Sequence, residues 1–335
     1  MVETIGHPLV TVVATFYNLE GFAAECVQSI VSQRDFSDFE VILVDDGSTD
    51  ATPRLLSLLA EGHPYVRFLS QVNMGVAEAR NRGVREARGD LITFVDGDDV
   101  VSPDHLASLV SAYQEHCAGL AVAAPVNIRE RSKTGEIAWP EGTASTCYDA
   151  HGSLVALLYE RITEAPWGKL ASRQLYLEHP FPGNHRYEDV AVATEHVRAA
   201  GRVCTTCKPT YGYRMRKGSV VHPTNADLAQ ASDFMWAICR MLGDIEITDD
   251  DVASGMLFRT TLLYLRLRTL LKACEGKEAR EFEHRVTREI QALAPVVLRD
   301  QALRAKDTLR LDAFMLSPRL YDALLEMYDK VLKGV

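Results

Sequence analysis

The feature that most constrains this chain is a regular alternation of short β-branched runs and amphipathic stretches between Leu9 and about Ala124. Stretches with helical spacing separate five apolar runs, which are, in order, LVTVVAT, EVILVDD, YVRFLS, DLITFVD and LAVAAPV. Strands followed by helical crossovers at this spacing predict an α/β fold with a mainly parallel, doubly wound sheet. In such sheets ligands bind beyond the carboxyl ends of the strands.

Polar and aromatic residues follow four of these predicted strands. They are Thr15, Phe16, Tyr17 and Asn18 after the first, Asp45 and Asp46 after the second, Asn73 to Gly75 after the third, and Asp96 to Asp99 after the fourth. Neither GxGxxG nor GxxxxGK[ST] is present, which excludes a dinucleotide-dependent dehydrogenase and a P-loop enzyme. Carboxylates at strand ends suit ribose hydroxyls, a base N–H and a hard divalent cation instead.

Asp96-Gly97-Asp98 directly follows the apolar run LITFV. An isolated Asp-x-Asp is commonly a solvated turn, but the position after a buried strand favours a metal site. A cation there would neutralise charge on a departing diphosphate. We predict Asp98 as the direct metal ligand.

The first 130 or so residues resemble the family 2 glycosyltransferases of the GT-A fold. The resemblance is carried by VTVVATFYN, EVILVDDGSTDAT, NMGVAEARNRGVREARGDLITFVDGDD and SPDHL, which occur in the order of the family's motifs. It implies an inverting glycosyltransferase that takes a nucleotide-sugar donor, a UDP-sugar in the first instance, and uses Mn²⁺ or Mg²⁺. The sugar would pass to a hydroxyl of a saccharide or lipid-linked acceptor.

The resemblance also implies positions for the donor. Thr15 and Tyr17 would line the nucleoside pocket, Asp45 or Asp46 would contact the base, Arg80 would lie near the donor and Asp96 would point towards the ribose. Each residue has a structural alternative. Tyr17 could be a partly buried aromatic, Arg80 could pair with Glu78 or Glu86 on a helix surface, and Asp46 could serve the turn.

The pair Glu188-Asp189 opens a predicted helix and matches the acidic pair that supplies the catalytic base in this family. We predict Asp189 as the general base and Glu188 as a substrate contact and substitute base. Acidic residues at a helix N-terminus are also favourable with the helix dipole alone. Asp99, beside the metal motif, is a further predicted substrate contact.

Two later segments resemble acceptor-side motifs of the family. In PWGKL, Trp167 would either stack on a sugar ring or pack in the core. In YGYRMRKGSVVH, Arg214, Arg216 and Lys217 would either hold phosphate or line a solvated strand edge, and Arg216 is the predicted substrate contact. His222 is a candidate second metal ligand, although a lone histidine more often serves structure.

The predicted organisation is a GT-A catalytic domain over residues 1–224 and a helical C-terminal region over 225–335. Within the catalytic domain, about 9–125 form the donor-binding half and about 126–224 the acceptor-side half. The segment Met256 to Lys272 either packs in the helical appendage or touches an anionic membrane surface, and its apolar content favours packing.

The net charge and the cysteine pattern limit which partners and which cellular compartment are expected. A net charge of −10 and a pI near 5.5 argue against nucleic acid as a partner. Seven cysteines, an odd number without a dense framework, suit a reducing cytoplasm. Cys204 and Cys207 form one CxxC without a second ligand pair, so we expect two strand residues there instead of a zinc site.

We expect no signal peptide and no membrane-spanning segment, because no basic stretch precedes an apolar run and no apolar run reaches about 20 residues. The expected setting is cytoplasmic, with peripheral contact at the inner face of the membrane left open, in the synthesis of a surface polysaccharide or glycoconjugate. One rival is a sugar-nucleotide nucleotidyltransferase, which needs a Gly-rich basic loop where this chain has TFYNLEG. The other is a non-catalytic nucleotide- or carbohydrate-binding module, against which the retained Asp96, Asp98 and Asp189 count.

Overall fold

The structure is a computed structural model that describes residues 7–142, 144–216 and 226–333. The strands are β1 (Val10–Phe16), β2 (Phe39–Asp45), β3 (Val66–Ser70), β4 (Leu91–Asp96), β5 (Val100–Val101), β6 (Leu120–Val122), β7 (Pro125–Arg129), β8 (Cys147–Tyr148), β9 (Lys169–Ser172), β10 (Val203–Thr205) and β11 (Tyr211–Met215). The helices are α1 (Ala23–Val31), α2 (Thr52–Glu61), α3 (Val76–Glu86), α4 (His105–Glu115), α5 (Ala150–Leu158), α6 (Arg173–Glu178), α7 (Glu188–Ala200), α8 (Leu228–Gly243), α9 (Asp250–Lys272), α10 (Lys277–Val297), α11 (Ala305–Leu316) and α12 (Pro318–Lys333).

The main sheet has the strand order β3-β2-β1-β4-β9-β6-β10-β8. Parallel pairing joins β1 to β2, β1 to β4 and β2 to β3, whereas β9 runs antiparallel to both β4 and β6. Every residue of β1 and of β2 is buried, as expected for parallel strands that are covered on both faces. The predicted α/β architecture with a mainly parallel sheet is confirmed.

The register of this sheet aligns the predicted ligand-binding residues. Thr15 of β1 lies opposite Asp96 of β4, and Phe16 lies opposite Asp45 of β2. The carboxyl ends of three neighbouring strands therefore meet at one edge.

A second, three-stranded sheet has the order β5-β11-β7. Tyr211 of β11 pairs with Val101 of β5 in the antiparallel sense, and Gly212 pairs with Val100. Because β5 begins only four residues after β4 ends, this pairing brings β11 close to the Asp96–Asp99 turn.

The chain forms two compact units, one of residues 1–153 with 164–214 and the other of residues 154–163 with 215–335. The second unit is helical, as predicted for the C-terminal region. Its helix α9 contains the arginine-bearing segment, and Arg259 and Arg268 face inward. Arg259 is fully buried and donates to Glu160 at 2.5 Å, and Arg268 donates to Glu283 and Asp322.

This inward pairing favours packing over membrane contact for the α9 segment. None of the helices within the described ranges has the length and apolarity needed to cross a bilayer.

A disulfide joins Cys147 of β8 to Cys204 of β10, which lie opposite each other in an antiparallel pair. The count of cysteines did not predict this bond, because the pairing of β8 with β10 brings together residues 57 apart in sequence. Cys207 is exposed and follows the end of β10. The expectation that both residues of the CxxC lie in a strand is therefore wrong for Cys207.

Candidate functional site

Hydrogen bonds between side chains and the backbone join the loop after β1 to the loop after β2. The Asn18 amide oxygen accepts from the Thr49 N–H at 2.8 Å, and the Ser48 hydroxyl accepts from the Asn18 N–H at 2.8 Å. Asn18 has a left-handed backbone, φ 52°, which asparagine tolerates better than most residues. These bonds hold the backbone next to Tyr17, whose side chain is exposed, whereas Thr15 two residues earlier is buried.

Asp46 holds the loop between β3 and α3. Its carboxylate accepts from the backbone N–H groups of Met74 and Gly75, both at 2.9 Å, and from the Gln71 side chain at 2.8 Å. The side chain is buried. These bonds support the alternative in which Asp46 serves the turn. Asp45, the other candidate for the contact with the nucleotide base, has different surroundings.

Asp45 ends β2 beside this loop and is also buried. Its carboxylate accepts from the Ser70 hydroxyl at 3.3 Å and from the Ser48 N–H at 3.3 Å. These bonds are longer than those of Asp46, although Asp45 is the less exposed of the two carboxylates, at 1% against 4%. Its contact with a nucleotide base stays a prediction.

The Asp-x-Asp turn is shaped by close packing against the end of β1. The Gly97 N–H donates to the carbonyl of Thr15 at 3.0 Å. A Cβ at Gly97 would lie 2.3 Å from the Phe16 ring and 2.7 Å from the Thr15 carbonyl oxygen. Glycine between the two carboxylates is therefore a steric requirement, and it leaves the half-buried side chains of Asp96 and Asp98 at the strand edge.

Asp99 is the last residue of this turn, and its side chain is buried. It accepts from the Tyr211 hydroxyl at 2.7 Å and from the Arg214 N–H at 2.7 Å, while the Tyr211 oxygen also accepts from the Asp96 N–H at 3.1 Å. Asp99 is 1% exposed, and burial raises its pKa, with the charges of Asp98 and Asp96 adding to the effect. This placement favours a positioning role for Asp99 over the predicted substrate contact.

Arg214 braces the same turn. Its Nε donates to the Asp98 carbonyl at 2.7 Å, one terminal nitrogen donates to the Glu130 carbonyl at 2.9 Å, and the other donates to the Glu25 carboxylate at 2.9 Å. Its side chain is 1% exposed. The solvated strand edge is therefore wrong for Arg214, and these contacts give it a structural role, while its phosphate contact stays a prediction.

The remaining candidates from that segment are Arg216, Lys217 and His222. Arg216 follows β11 and is half-buried, so its substrate contact stays a prediction. Lys217 and His222 lie outside the residues that the structure describes.

Arg80, on α3, joins the turn after β4 to the start of α7. One terminal nitrogen donates to Asp96 at 2.8 Å and the other to Glu188 at 2.5 Å. Burial acts to lower the pKa of Arg80, but the charges of Asp96 and Glu188 raise it above its ordinary value. The local alternative with Glu78 or Glu86 is wrong, since the partners of Arg80 come from β4 and α7.

The pair Glu188-Asp189 forms the first turn of α7, as predicted. Burial raises the pKa of Glu188 to about 7, with Asp189 adding to the shift and Arg80 opposing it. Asp189 is half-buried, and one of its oxygens accepts from the Val190 N–H at 2.8 Å. Of the two carboxylates, Asp189 is the more accessible.

Trp167 belongs to an aromatic stack next to the turn. Its ring lies 4.6 Å from that of Tyr211, nearly parallel, and 5.5 Å from that of Tyr213. The half-buried ring is thus fixed by the residue that also holds Asp99 and Asp96.

Lys169, two residues further along, is buried and donates to the Glu164 carbonyl at 3.2 Å. Burial lowers the pKa of Lys169 to about 8, against the charges of Glu164 and Asp189. Lys169 therefore lies within electrostatic range of Asp189. The sequence showed Lys169 and Tyr211 only as members of recurring motifs, without a signal for these roles.

Comparisons with known proteins agree with this arrangement. The glycosyl transferase family 2 model matches residues 11–173. Glycosyltransferase GlyG of Streptococcus pneumoniae is 29% identical over 83% of this chain and 91% of its own length. Among solved structures, S. aureus TarS residues 1–349 with UDP-GlcNAc has a TM-score of 0.56 at 17% identity, covering 84% of this chain and 88% of that one.

The mannosyltransferase PcManGT of Pyrobaculum calidifontis, solved with GDP-Man and Mn²⁺, also has a TM-score of 0.56, at 18% identity, over 98% of this chain and 86% of its own. The sheet, the acidic turn after β4 and these similarities define a glycosyltransferase of the GT-A fold. Residues 11–173 carry the similarity to glycosyl transferase family 2.

Proposed function

We propose that this glycosyltransferase moves a sugar from a nucleotide-sugar, a UDP-sugar in the first instance, to an acceptor hydroxyl with inversion, assisted by Mn²⁺ or Mg²⁺. The observation that carries the proposal is the Arg80 bridge. It joins Asp96, at the donor edge of the sheet, to Glu188, the neighbour of the proposed base. The Arg80 charge would then act both on the donor site, through Asp96, and on the acceptor site, through Glu188.

The Asp96–Asp98 turn fits a divalent cation by its charge and donor set. The charges of Asp96 and Asp98 both raise the pKa of the buried Asp99, which reports negative charge crowded at the turn. Carboxylate oxygens are the ligands that Mg²⁺ and Mn²⁺ prefer. Asp98 would be the direct ligand, and Asp96, held by Arg80, would face the ribose. A bound cation would supply countercharge to the nucleoside diphosphate as it departs.

The nucleoside would lie across the carboxyl ends of β1 and β2. Tyr17 is exposed there and Asp45 lies at the adjacent strand end, which supports stacking of the base on Tyr17 and a hydrogen bond from the base to Asp45. We retain Thr15 as a residue that lines this pocket, and Asp46 as the residue that fixes its wall.

Asp189 would accept the proton of the acceptor hydroxyl. The freed oxygen forms a bond to the anomeric carbon while the bond from that carbon to the diphosphate oxygen breaks, which inverts the centre. Trp167 would form one wall of the acceptor subsite. The proposal includes residues 1–224 as the catalytic domain, 225–335 as a helical region, a saccharide or lipid-linked acceptor, a cytoplasmic setting and a role in surface polysaccharide or glycoconjugate synthesis.

The solved neighbours support a nucleotide-sugar donor because TarS was determined with UDP-GlcNAc and PcManGT with GDP-Man and Mn²⁺. The test is a panel of UDP- and GDP-sugars assayed with Mn²⁺ on the wild type, Asp189→Asn and Glu188→Gln. Asp189→Asn keeps the size of the side chain but cannot take the proton, so transfer should fall about 10²- to 10⁴-fold.

Affinity for the donor should stay near that of the wild type in Asp189→Asn. Glu195→Gln is the matched control, because Glu195 is a partly exposed carboxylate on the same helix, and it should transfer normally. Near-normal turnover of Asp189→Asn, or a larger loss in Glu188→Gln, would assign the base elsewhere. Saturable binding of nucleotide without any turnover would support the binding-module alternative.

A further inference from the structure

The segment that leads into the proposed base carries a constrained backbone. Asn184 and Tyr187 both have φ of 64°, and Tyr187 directly precedes Glu188 and Asp189. A left-handed backbone is uncommon for residues with a Cβ, above all for a bulky aromatic. Such conformations persist only where surrounding contacts hold them. The position of Asp189 thus depends on what fixes this segment.

Asn81, on α3, fixes its beginning. The Asn81 side-chain amide donates to the Phe181 carbonyl at 2.7 Å, and its oxygen accepts from the Phe181 N–H at 3.0 Å. This reciprocal pair satisfies both backbone groups of Phe181 across 100 residues of sequence. Asn81 is 7% exposed, so little water competes for these bonds.

The Phe181 side chain ties the same point to the donor edge. Its ring meets Phe94 edge to face at 5.4 Å, and Phe94 lies two residues before Asp96 on β4. The Arg80 guanidinium lies over the Phe181 ring at 5.6 Å. Phe181 is therefore held by its backbone through Asn81 and by its ring through β4, and the chain then runs only seven residues to Glu188.

We infer that Asn81 is a positioning residue for the transfer reaction: by holding the Phe181 backbone it places Asp189 at the start of α7. The inference rests on the proposed function of Asp189 as base. Asn81 itself belongs to the interior and acts on the reaction through the segment 181–187.

Asn81→Ala removes both bonds and should lower kcat for transfer about 10- to 100-fold, because small displacements of a catalytic group have effects of this size. The Kd for UDP with Mn²⁺ should change less than twofold. The decisive comparison is a double-mutant cycle with Asp189→Asn. Without a base to place, adding Asn81→Ala to Asp189→Asn should lower the remaining rate by less than about twofold. Asn81→Ser, whose hydroxyl cannot make both bonds, serves if Asn81→Ala folds poorly.

Thr11→Val is the matched control. Thr11 is buried at the opposite end of the sheet, and its hydroxyl likewise makes two bonds, to Glu40 at 2.9 Å and from the Gly89 N–H at 2.9 Å. It should lose stability but keep kcat per folded molecule. A kcat for Asn81→Ala equal to that of Thr11→Val, or effects of Asn81→Ala and Asp189→Asn that multiply, would overturn the inference and leave the proposed function standing.

Amide hydrogen exchange tests the inference without any turnover. Asn81→Ala should raise exchange in the segment 181–189 above that in Thr11→Val, and equal exchange in the two variants would also overturn the inference. If instead the wild type transfers no sugar, or Asp189→Asn turns over normally, the proposed function fails, and the exchange measurement still decides whether Asn81 holds this segment.

Discussion

Tyr211 donates its hydroxyl hydrogen to Oδ2 of Asp99 at 2.7 Å, although 112 residues separate the two in sequence. The Tyr211 hydroxyl oxygen also accepts from the Asp96 N–H at 3.1 Å, so one hydroxyl fixes both ends of the acidic turn. Because Tyr211 also stacks on Trp167, a single side chain relates the proposed metal site to the proposed acceptor wall.

Tyr211→Phe should therefore damage the turn without altering its carboxylates. The change leaves the Asp96 N–H without its acceptor and removes one of the donors to the buried Asp99, a loss of about 1–3 kcal/mol in the free energy of unfolding. Urea titration measures it, and calorimetry should show weaker Mn²⁺ binding in the presence of UDP.

Tyr65→Phe is the control for this prediction, because its hydroxyl makes only a 3.5 Å contact with the Val31 carbonyl and a 3.4 Å contact with His63, near the amino end of β3. Equal stability and equal Mn²⁺ affinity in the two variants would show that the hydroxyl does not hold the turn.

Gly97→Ala should deform the acidic turn. The new Cβ would lie 2.3 Å from the Phe16 ring and 2.7 Å from the Thr15 carbonyl oxygen, and the latter is backbone that cannot move independently. We expect a loss of roughly 1–3 kcal/mol, as for overpacked sites, with transfer reduced by at least tenfold. Gly135→Ala is the control, since no atom of the described residues lies within 4 Å of its added Cβ. Full activity with unchanged stability in Gly97→Ala would mean that the turn tolerates a side chain.

Local pattern was enough to predict the donor half of the fold. The stretches with helical spacing between the apolar runs occur as helices, among them α1 (Ala23–Val31) and α3 (Val76–Glu86), because strand burial and helical periodicity are properties of short windows. The position of Asp96 at a strand end followed from the same patterns, since parallel strands place their carboxyl ends together.

Partners brought together by the tertiary fold could not be predicted in this way. Arg80 was weighed against Glu78 and Glu86, its neighbours on a helix, whereas its partners are Asp96 and Glu188. Nothing local distinguishes an arginine that faces solvent from one that crosses a sheet edge. The Cys147–Cys204 disulfide could not be predicted for the same reason, because the two cysteines meet only through the tertiary fold.

Asp98→Asn should abolish metal-dependent behaviour while sparing the fold. The Arg214 contact uses the Asp98 carbonyl, which the substitution keeps, and removal of the side-chain charge relieves crowding around Asp99. Without metal, the melting temperature should be equal to that of the wild type or up to about 2 °C higher.

With Mn²⁺ and UDP the wild type should gain thermal stability by ligand binding, and Asp98→Asn should gain little. Asp38→Asn, in an exposed loop before β2, should gain as much as the wild type. A large loss of stability of Asp98→Asn without metal would identify the carboxylate as structural instead.

The stability of the protein should fall as pH rises through the titration of Glu188. Burial raises the pKa of Glu188 from an ordinary 4.5 to about 7, so between these values the folded state keeps a proton that the unfolded state has released. Folding is then favoured at the acid end of this window and loses about 1–3 kcal/mol as pH rises to 7, above which both states are ionised. Glu188→Gln cannot titrate and should lack this loss.

The stability of Glu188→Gln relative to the wild type should therefore increase from pH 5 to pH 8 in urea titrations. Taking the difference between variant and wild type removes the contribution of titrating groups that do not interact with Glu188. A relative stability that is flat or falls with pH would mean that the Arg80 charge, 2.5 Å away, outweighs burial and keeps Glu188 ionised throughout. In that case Glu188 would remain a fixed negative partner of Arg80 under all assay conditions.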